Sequence, residues 1–293
     1  MLTWVQQGEL WLFEHVAVRP CIYLDFWAFD EIGKDGELTA GLAAALRASG
    51  GTLCFSTVNG QEPRKPEDPK HARRVDAVLR AAMPHVAFVD LGATALSVGI
   101  VETVPGSPPD SSLGAPPLER DELAIQYSEV MSKLDGPGWA EGMWCARDGR
   151  DLITEVAERI VAKWEEKRQE DEWRAQALSA PINRNANRAW RVTGDIMLPA
   201  VQNIAHKIKT NDGADLLHSL SLCYCDFVLL DQAFARRAEA TRLKLAEHGE
   251  RIGRAISQPM GGGRRLINEL VSFGTVGHAH RSSFNLLVKP SDS

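Results

Sequence analysis

The sequence predicts an α/β fold in which a parallel sheet is covered by helices. Short, wholly apolar runs recur at Cys21–Leu24, Thr52–Ser56, Val86–Val89 and Phe227–Leu230. They are continuous rather than alternating, as expected of strands buried on both faces. Helical patterns separate the first three, giving the strand–helix–strand order of parallel crossovers. Composition agrees with an ordinary globular chain: 293 residues, 44% hydrophobic and 25% charged.

Each element has a local signal. Asp35–Ala48 carries Leu38, Leu42, Ala45 and Leu46 at helical spacing, and Gly50-Gly51 supplies the stop. Asp68-Pro69 is a helix start, with Asp as N-cap and Val75, Val78, Leu79 and Ala82 on one face. Thr103–Pro117 is rich in Pro, Gly and Ser and reads as a linker. Beyond it helical signals dominate: Leu123–Leu134, then Ile153–Trp164, then Ile196–Ile208. The charged run Glu165–Glu172 reads as a solvated helix face. Asp212–Leu222 and Gln232–His248 are helical, flanking the strand closed by Asp231. Gly261–Gly263 reads as a hinge, Leu266–Phe273 as a helix, and the last dozen residues as a tail. The expected organisation is a discontinuous core (1–102 with 205–248), a helical insertion (103–204) and a C-terminal helix and tail (249–293).

The balance of 33 Lys+Arg against 39 Asp+Glu gives a net charge of −6, which argues against a broad basic duplex-gripping surface. Five cysteines form no disulfide ladder and read as reduced, mostly buried thiols. With no signal peptide and no apolar stretch near membrane-spanning length, the expected location is the cytoplasm.

The acids are the informative residues. Asp25 and Asp231 close strands, and Glu62 follows the strand ending at Ser56. Asp212 and Asp215 share a helix face, and Asp226 opens the last strand. In an open parallel sheet, functional groups collect at the carboxyl ends of strands. Acids gathered there repel one another unless a hard divalent cation joins them, and such an ion assists attack of water on a phosphodiester. Taken singly, Asp25 reads more readily as a helix N-cap than as a ligand, capping competes strongly at Asp231, Asp212 could cap the helix it begins, and Glu62 could be an exposed loop acid.

Together, IYLDFWAF (22–29), FSTVNGQE (55–62) and NDGADLLHSLSLCYCDFVLLDQAF (211–234) resemble the PIN-like superfamily of metal-dependent nucleases. The resemblance implies a PIN-like parallel sheet flanked by helices, here with a large helical insertion. It implies an acidic site for Mg²⁺ or Mn²⁺ in which Asp25, Glu62, Asp215 and Asp231 are catalytic and metal-binding. Asp226 is a further ligand candidate, with Asp212 and His218 supporting from behind. The implied activity is endonucleolytic cleavage, with single-stranded RNA as the expected substrate. Arg64, Lys65, Arg73 and Arg74 are candidates for contacting its backbone, as is Arg188, while Trp190 could stack a base.

Other readings stand beside this one. The domain could be a non-catalytic module that docks a protein partner, inhibitory or complex-forming, through the helical insertion. A phosphohydrolase acting on small esters is a third reading. Cys223-x-Cys225 and His278-x-His280 lack the further ligands a structural zinc needs.

Overall fold

The computed structural model describes residues 2–7, 10–65, 67–91, 113, 118, 138–148, 151–179, 188–205, 207–273, 279–280 and 287–288. The linker (apart from Leu113), the predicted helix over Leu123–Leu134 and His278 lie outside the described residues. The strands are β1 (Leu2–Gln7), β2 (Leu10–His15), β3 (Ala17–Val18), β4 (Cys21–Leu24), β5 (Thr52–Ser56), β6 (Val86–Val89), β7 (Phe227–Leu229), β8 (Arg254–Ile256), β9 (Ala279–His280) and β10 (Leu287–Val288). The helices are α1 (Phe26–Lys34), α2 (Gly36–Ser49), α3 (Thr57–Gln61), α4 (Lys70–Ala82), α5 (Trp139–Cys145), α6 (Leu152–Gln169), α7 (Asp171–Ser179), α8 (Arg188–Gln202), α9 (Thr210–Ser219), α10 (Gln232–Glu247) and α11 (Gly262–Phe273). No helix among the described residues is long and apolar enough to cross a membrane.

Five strands form one parallel sheet in the order β6-β5-β4-β7-β8. Period-two alternation divides its side chains between two cores. Tyr23, Cys54, Ala87 and Val228 face a core shared with α6, α8, α9 and α10. Ile22, Leu24, Phe55, Phe88 and Leu229 face the opposite core, with α1, α2, α4 and α11. The chain winds outward from β4 through β5 to β6, then returns to the other side of β4 through β7 and β8. The crossover helices therefore lie on opposite faces, and the winding reverses between β4 and β7. In doubly wound sheets, this is where a crevice opens at the carboxyl ends.

Caps shape the local structure. Asp35 N-caps α2 through Glu37 N and Leu38 N, and Gly50 ends it at φ 67°. Helix α4 starts one residue after Pro69, with Asp68 accepting from Lys70 N. Helix α1 carries no start signal apart from Asp25 itself, and its apolar residues Phe29 and Ile32 were not read as a helix.

Three expectations change. Gly261–Gly263 is no hinge: Gly262 and Gly263 are buried and open α11, with Gly263 N donating to Glu31 Oε2. The run Glu165–Glu172 is not simply solvated, since Arg168 is only 2% exposed. Its guanidinium donates to Glu165, to Ala200 O at 2.9 Å and to Asn203 O. The core also extends past residue 248, because β8 adds to the sheet and α11 packs on α2. Strand β8 has only three residues, too few for an apolar run to show. Outside the main sheet, β1, β2 and β10 form a small antiparallel sheet, so Leu287–Val288 of the expected tail pairs with β2.

The described part of the insertion is mainly helical, with Leu118 bridging to Val89, and it packs directly on the elements that carry the acids. Its apolar residues Ile153, Ala157, Val192, Ile196 and Met197 are buried in the core. Gly213 lets α9 approach α6 closely: a Cβ there would lie 2.6 Å from Ala157 O. On the other face, Trp139 stacks edge-on to Phe55 at 5.0 Å and occupies the space a Cβ on Gly60 would need. The insertion thereby fixes the positions of α9, which carries Asp215 and His218, and of α3, which leads into Glu62.

Candidate metal centre

Asp25 and Asp231 sit at the carboxyl ends of adjacent strands. Asp25 N donates to Leu229 O at 3.0 Å, which locks the two strand ends together. Both acids also N-cap helices: Asp25 accepts from Phe26 N, and Asp231 Oδ1 accepts from Phe234 N at 2.8 Å. Capping and site membership are therefore compatible, because each carboxylate has a second oxygen. The positive ends of α1 and α10 also offset part of the repulsion between the two acids.

Glu62 follows α3, whose N-cap Ser56 forms a capping box with Asn59. That short helix brings Glu62 back over the sheet edge. His218 reaches the same point from α9. Its Nε2 lies 3.2 Å from Glu62 Oε1 and 3.7 Å from Asp25 Oδ1. Ligand atoms of Asp25, Glu62 and His218 all fall within 4.8 Å of one another, so the three could hold a metal ion. Two buried atoms here have no hydrogen-bond partner: Glu62 Oε2 and His218 Nε2. Orphaned buried polar atoms are costly unless something else satisfies them. Two carboxylates and an imidazole are a donor set a divalent cation would satisfy. Behind His218, Tyr23 Oη lies 2.8 Å from Nδ1 and 2.9 Å from Ser56 Oγ.

The charges are strongly coupled. Burial drives Asp25 up to about 7, with Glu62 pushing the same way and His218 opposing. Burial, then Asp25 and Asp231, drive Asp215 up to about 8, with His218 opposing them. Burial alone would lower His218, but Glu62 and Asp25 outweigh it and hold the imidazole at about 9. Each of these shifts means that the folded protein holds more protons than the unfolded chain. The stability they confer is complete at low pH and is lost as pH rises through about 7, 8 and 9 in turn. Ligands must shed protons to bind a cation. In EDTA the Tm is therefore expected to fall between pH 6 and pH 9, and the increase in Tm caused by Mn²⁺ to grow over the same range. Differential scanning fluorimetry across pH checks both, and a Mn²⁺ shift that shrank with pH would contradict them.

The structure thus brings Asp25, Glu62 and His218 together, with Asp215 and Asp231 in electrostatic contact with them, and leaves two expected members out. Asp226 is at the wrong end of its strand. It lies at the amino edge of β7, ion-paired with Arg19 and accepting from Cys21 N at 2.8 Å. Asp212 accepts from Lys209 N at 2.8 Å and caps the start of α9. His218, expected only in support, stands among the ligand candidates.

Most of the expected backbone-binding cations have partners within the chain. Arg64 donates to Gln61 and to the carbonyls of Ala146 and Arg147. Arg73 pairs with Glu141 and Arg74 with Asp30. Arg188 donates to Cys223 O, and its neighbour Arg191 forms a buried pair with Glu250. Lys65 is exposed, and the side chain of Trp190 lies outside the described residues. The sequence reading missed Arg237. It lines a half-open groove of about 220 Å³ with Met197, Pro199, Ile208 and Asp212, one helical turn from Asp215. Its guanidinium lies over the Phe234 ring at 5.2 Å. Two turns of α10 separate it from Asp231, a spacing legible only once both acids are placed.

All five cysteines are free; four are buried and Cys145 is exposed. Among the described residues no cysteine belongs to a cluster able to hold a metal. Comparison of the chain with family models, with curated proteins and with solved structures finds no match.

Proposed function

We propose that this protein is a divalent-metal-dependent endonuclease with a PIN-like arrangement of acids, and that it cleaves single-stranded RNA. The observation that carries the proposal is the meeting of Asp25, Glu62, Asp215, Asp231 and His218 at the carboxyl edge, where the winding of the sheet reverses. Residues almost two hundred positions apart converge there, and two buried ligand atoms, Glu62 Oε2 and the ion-paired His218 Nε2, have no hydrogen-bond partner.

A bound Mg²⁺ or Mn²⁺ would neutralise charge on the phosphate oxygens and acidify water. Asp25, Glu62 and His218 would hold it. Asp215 and Asp231 are less buried and face the approach from solvent. Asp231 Oδ1 accepts from Phe234 N; once a bound cation has ionised Asp215, Asp231 Oδ2 would be the oxygen that accepts the proton of the attacking water. Attack at phosphorus would break the bond to the leaving oxygen, which would take its proton from solvent water, while the proton taken by Asp231 returns to solvent. Arg237 and the groove beside Asp215 would meet the flanking nucleotide, in place of the cations already paired. Docking a protein partner through the insertion has less support, because most apolar residues of its described helices pack into or against the core.

The test is incubation of labelled single-stranded RNA, hairpin RNA and single-stranded DNA with Mn²⁺, Mg²⁺ or EDTA. Endonucleolytic products are expected from single-stranded RNA in the presence of metal. Asp231→Asn is expected to lower the rate at least about 100-fold with the fold retained. Full cleavage by the folded variant, or none by wild type on any substrate, would overturn the proposal.

A further inference from the structure

Buried hydrogen-bond chains have a direction, and the chain behind His218 fixes a proton. Asn59 Nδ2 donates to Leu24 O at 2.8 Å, while Asn59 Oδ1 faces Ser56 N at 3.0 Å and Ser56 Oγ at 3.2 Å. Flipping this amide would set donor against donor at Ser56 N and acceptor against acceptor at Leu24 O, so its orientation is determined. A carboxamide oxygen has no hydrogen to give, so in the Ser56–Asn59 contact the hydroxyl is the donor, and we assign its only proton to that bond. Towards Tyr23, Ser56 Oγ is therefore an acceptor, and the Tyr23 hydroxyl donates to it across 2.9 Å. A phenol has one proton, so at the 2.8 Å contact with His218 Nδ1 it can only accept. This assignment of protons puts the hydrogen on Nδ1. In neutral His218 the lone pair is then on Nε2, the buried atom without a hydrogen-bond partner that faces Glu62 and Asp25.

We propose that His218 binds metal directly through Nε2 beside Asp25 and Glu62, that Asn59, Ser56 and Tyr23 hold it in this tautomer, and that the site consequently selects Mn²⁺ over Mg²⁺. An outer-shell acceptor on the far ring nitrogen is the usual means of orienting a ligating histidine and raising its basicity. An imidazole nitrogen in the donor set favours transition ions, whereas Mg²⁺ prefers oxygen and keeps its waters. The inference rests on the metal centre of the proposed nuclease but not on its substrate. Tyr23, Ser56 and Asn59 are positioning residues in this account.

The experiment is pulsed EPR of Mn²⁺ bound to protein labelled with ¹⁵N-histidine, alongside calorimetric titration with Mn²⁺ and Mg²⁺. Wild type is expected to show the coupling of one directly bound imidazole nitrogen and to bind Mn²⁺ at least about tenfold more tightly than Mg²⁺. Tyr23→Phe keeps the ring but removes the acceptor. It is expected to weaken Mn²⁺ about 10- to 100-fold while altering Mg²⁺ far less. His218→Gln should abolish the nitrogen coupling, and Tyr23→Phe keeps the test decisive if that variant fails to fold. Bound Mn²⁺ without nitrogen coupling, equal affinity for the two ions, or no Mn²⁺ binding at all would overturn the inference. Metal-dependent cleavage without nitrogen coupling would leave the nuclease proposal standing and remove this one. Nitrogen coupling in a protein that cleaves nothing would do the reverse.

Discussion

Asp25→Asn is expected to raise the stability of the protein in EDTA and at the same time to abolish its response to Mn²⁺. Asp25 is 6% exposed, and its carboxyl is driven up to about 7 by burial and by Glu62, against the pull of His218. At pH 8 the folded protein must hold that group ionised at a cost the unfolded chain does not bear. Asparagine has nearly the same shape and remains a good N-cap for α1, but it carries no charge. Relief of the repulsion is expected to contribute about 2–4 kcal/mol at pH 8, shrinking towards pH 5 as the native carboxyl becomes protonated. An amide in place of a carboxylate also removes one of three clustered ligand candidates, so the Mn²⁺-induced rise in Tm should disappear. Cleavage should fall about 10²- to 10⁴-fold. Fluorimetry at pH 5 and pH 8, with EDTA or Mn²⁺, reads both effects. A variant less stable in EDTA that still responds fully to Mn²⁺ would reduce Asp25 to a helix cap.

That pairing of opposite signs separates a site from a cap, which the sequence could not do. Capping and ligation draw on the same residue types at the same places, and here Asp25 and Asp231 do both. The strand ends were legible because β4 and β7 are continuous apolar runs closed by an acid. Their adjacency followed only if the sheet was parallel and reversed its winding between them. Asp226 was misplaced because an acid beside a short strand carries no mark of which edge it occupies. Arg19, which neutralises it, lies 207 positions away. The cations were misread for a related reason: Arg73 finds Glu141 across 68 residues, on a helix of the insertion, and no spacing rule reports such a pair. His218 was underestimated because its role depends on Tyr23, Ser56 and Asn59, which are ordinary core or turn residues until their hydrogen bonds are traced.

The insertion's part in holding the centre can be measured at Arg168, where truncation to alanine is expected to cost about 3–5 kcal/mol. A cation on a solvated helix face would cost under about 0.5 kcal/mol, so the two readings of the charged run differ several-fold. Arg168 donates to both Glu165 oxygens at 2.8 Å and to carbonyls at the end of α8. Glu165 Oε1 in turn accepts from Ile208 N at 2.7 Å. This bridge ties α6 to the end of α8 and to the segment that enters α9. Without the guanidinium, Ala200 O loses a buried donor and Glu165 loses its counter-charge. Lysine cannot reproduce the planar fork, so Arg168→Lys should recover only part of the loss. Pairing Arg168→Ala with Glu165→Ala should cost less than the sum of the single changes, because the second removes the charge the first leaves unpaired. The next turns beyond Ile208 carry Asp215 and His218, so loosening this bridge is also expected to reduce the Mn²⁺-induced rise in Tm although no ligand candidate has been changed. Urea denaturation of the wild type and the four variants, with and without Mn²⁺, measures the stability and the coupling together. A loss under about 1 kcal/mol with an unaltered Mn²⁺ response would mean that α9 keeps its place on the sheet without help from the insertion's charged bridge.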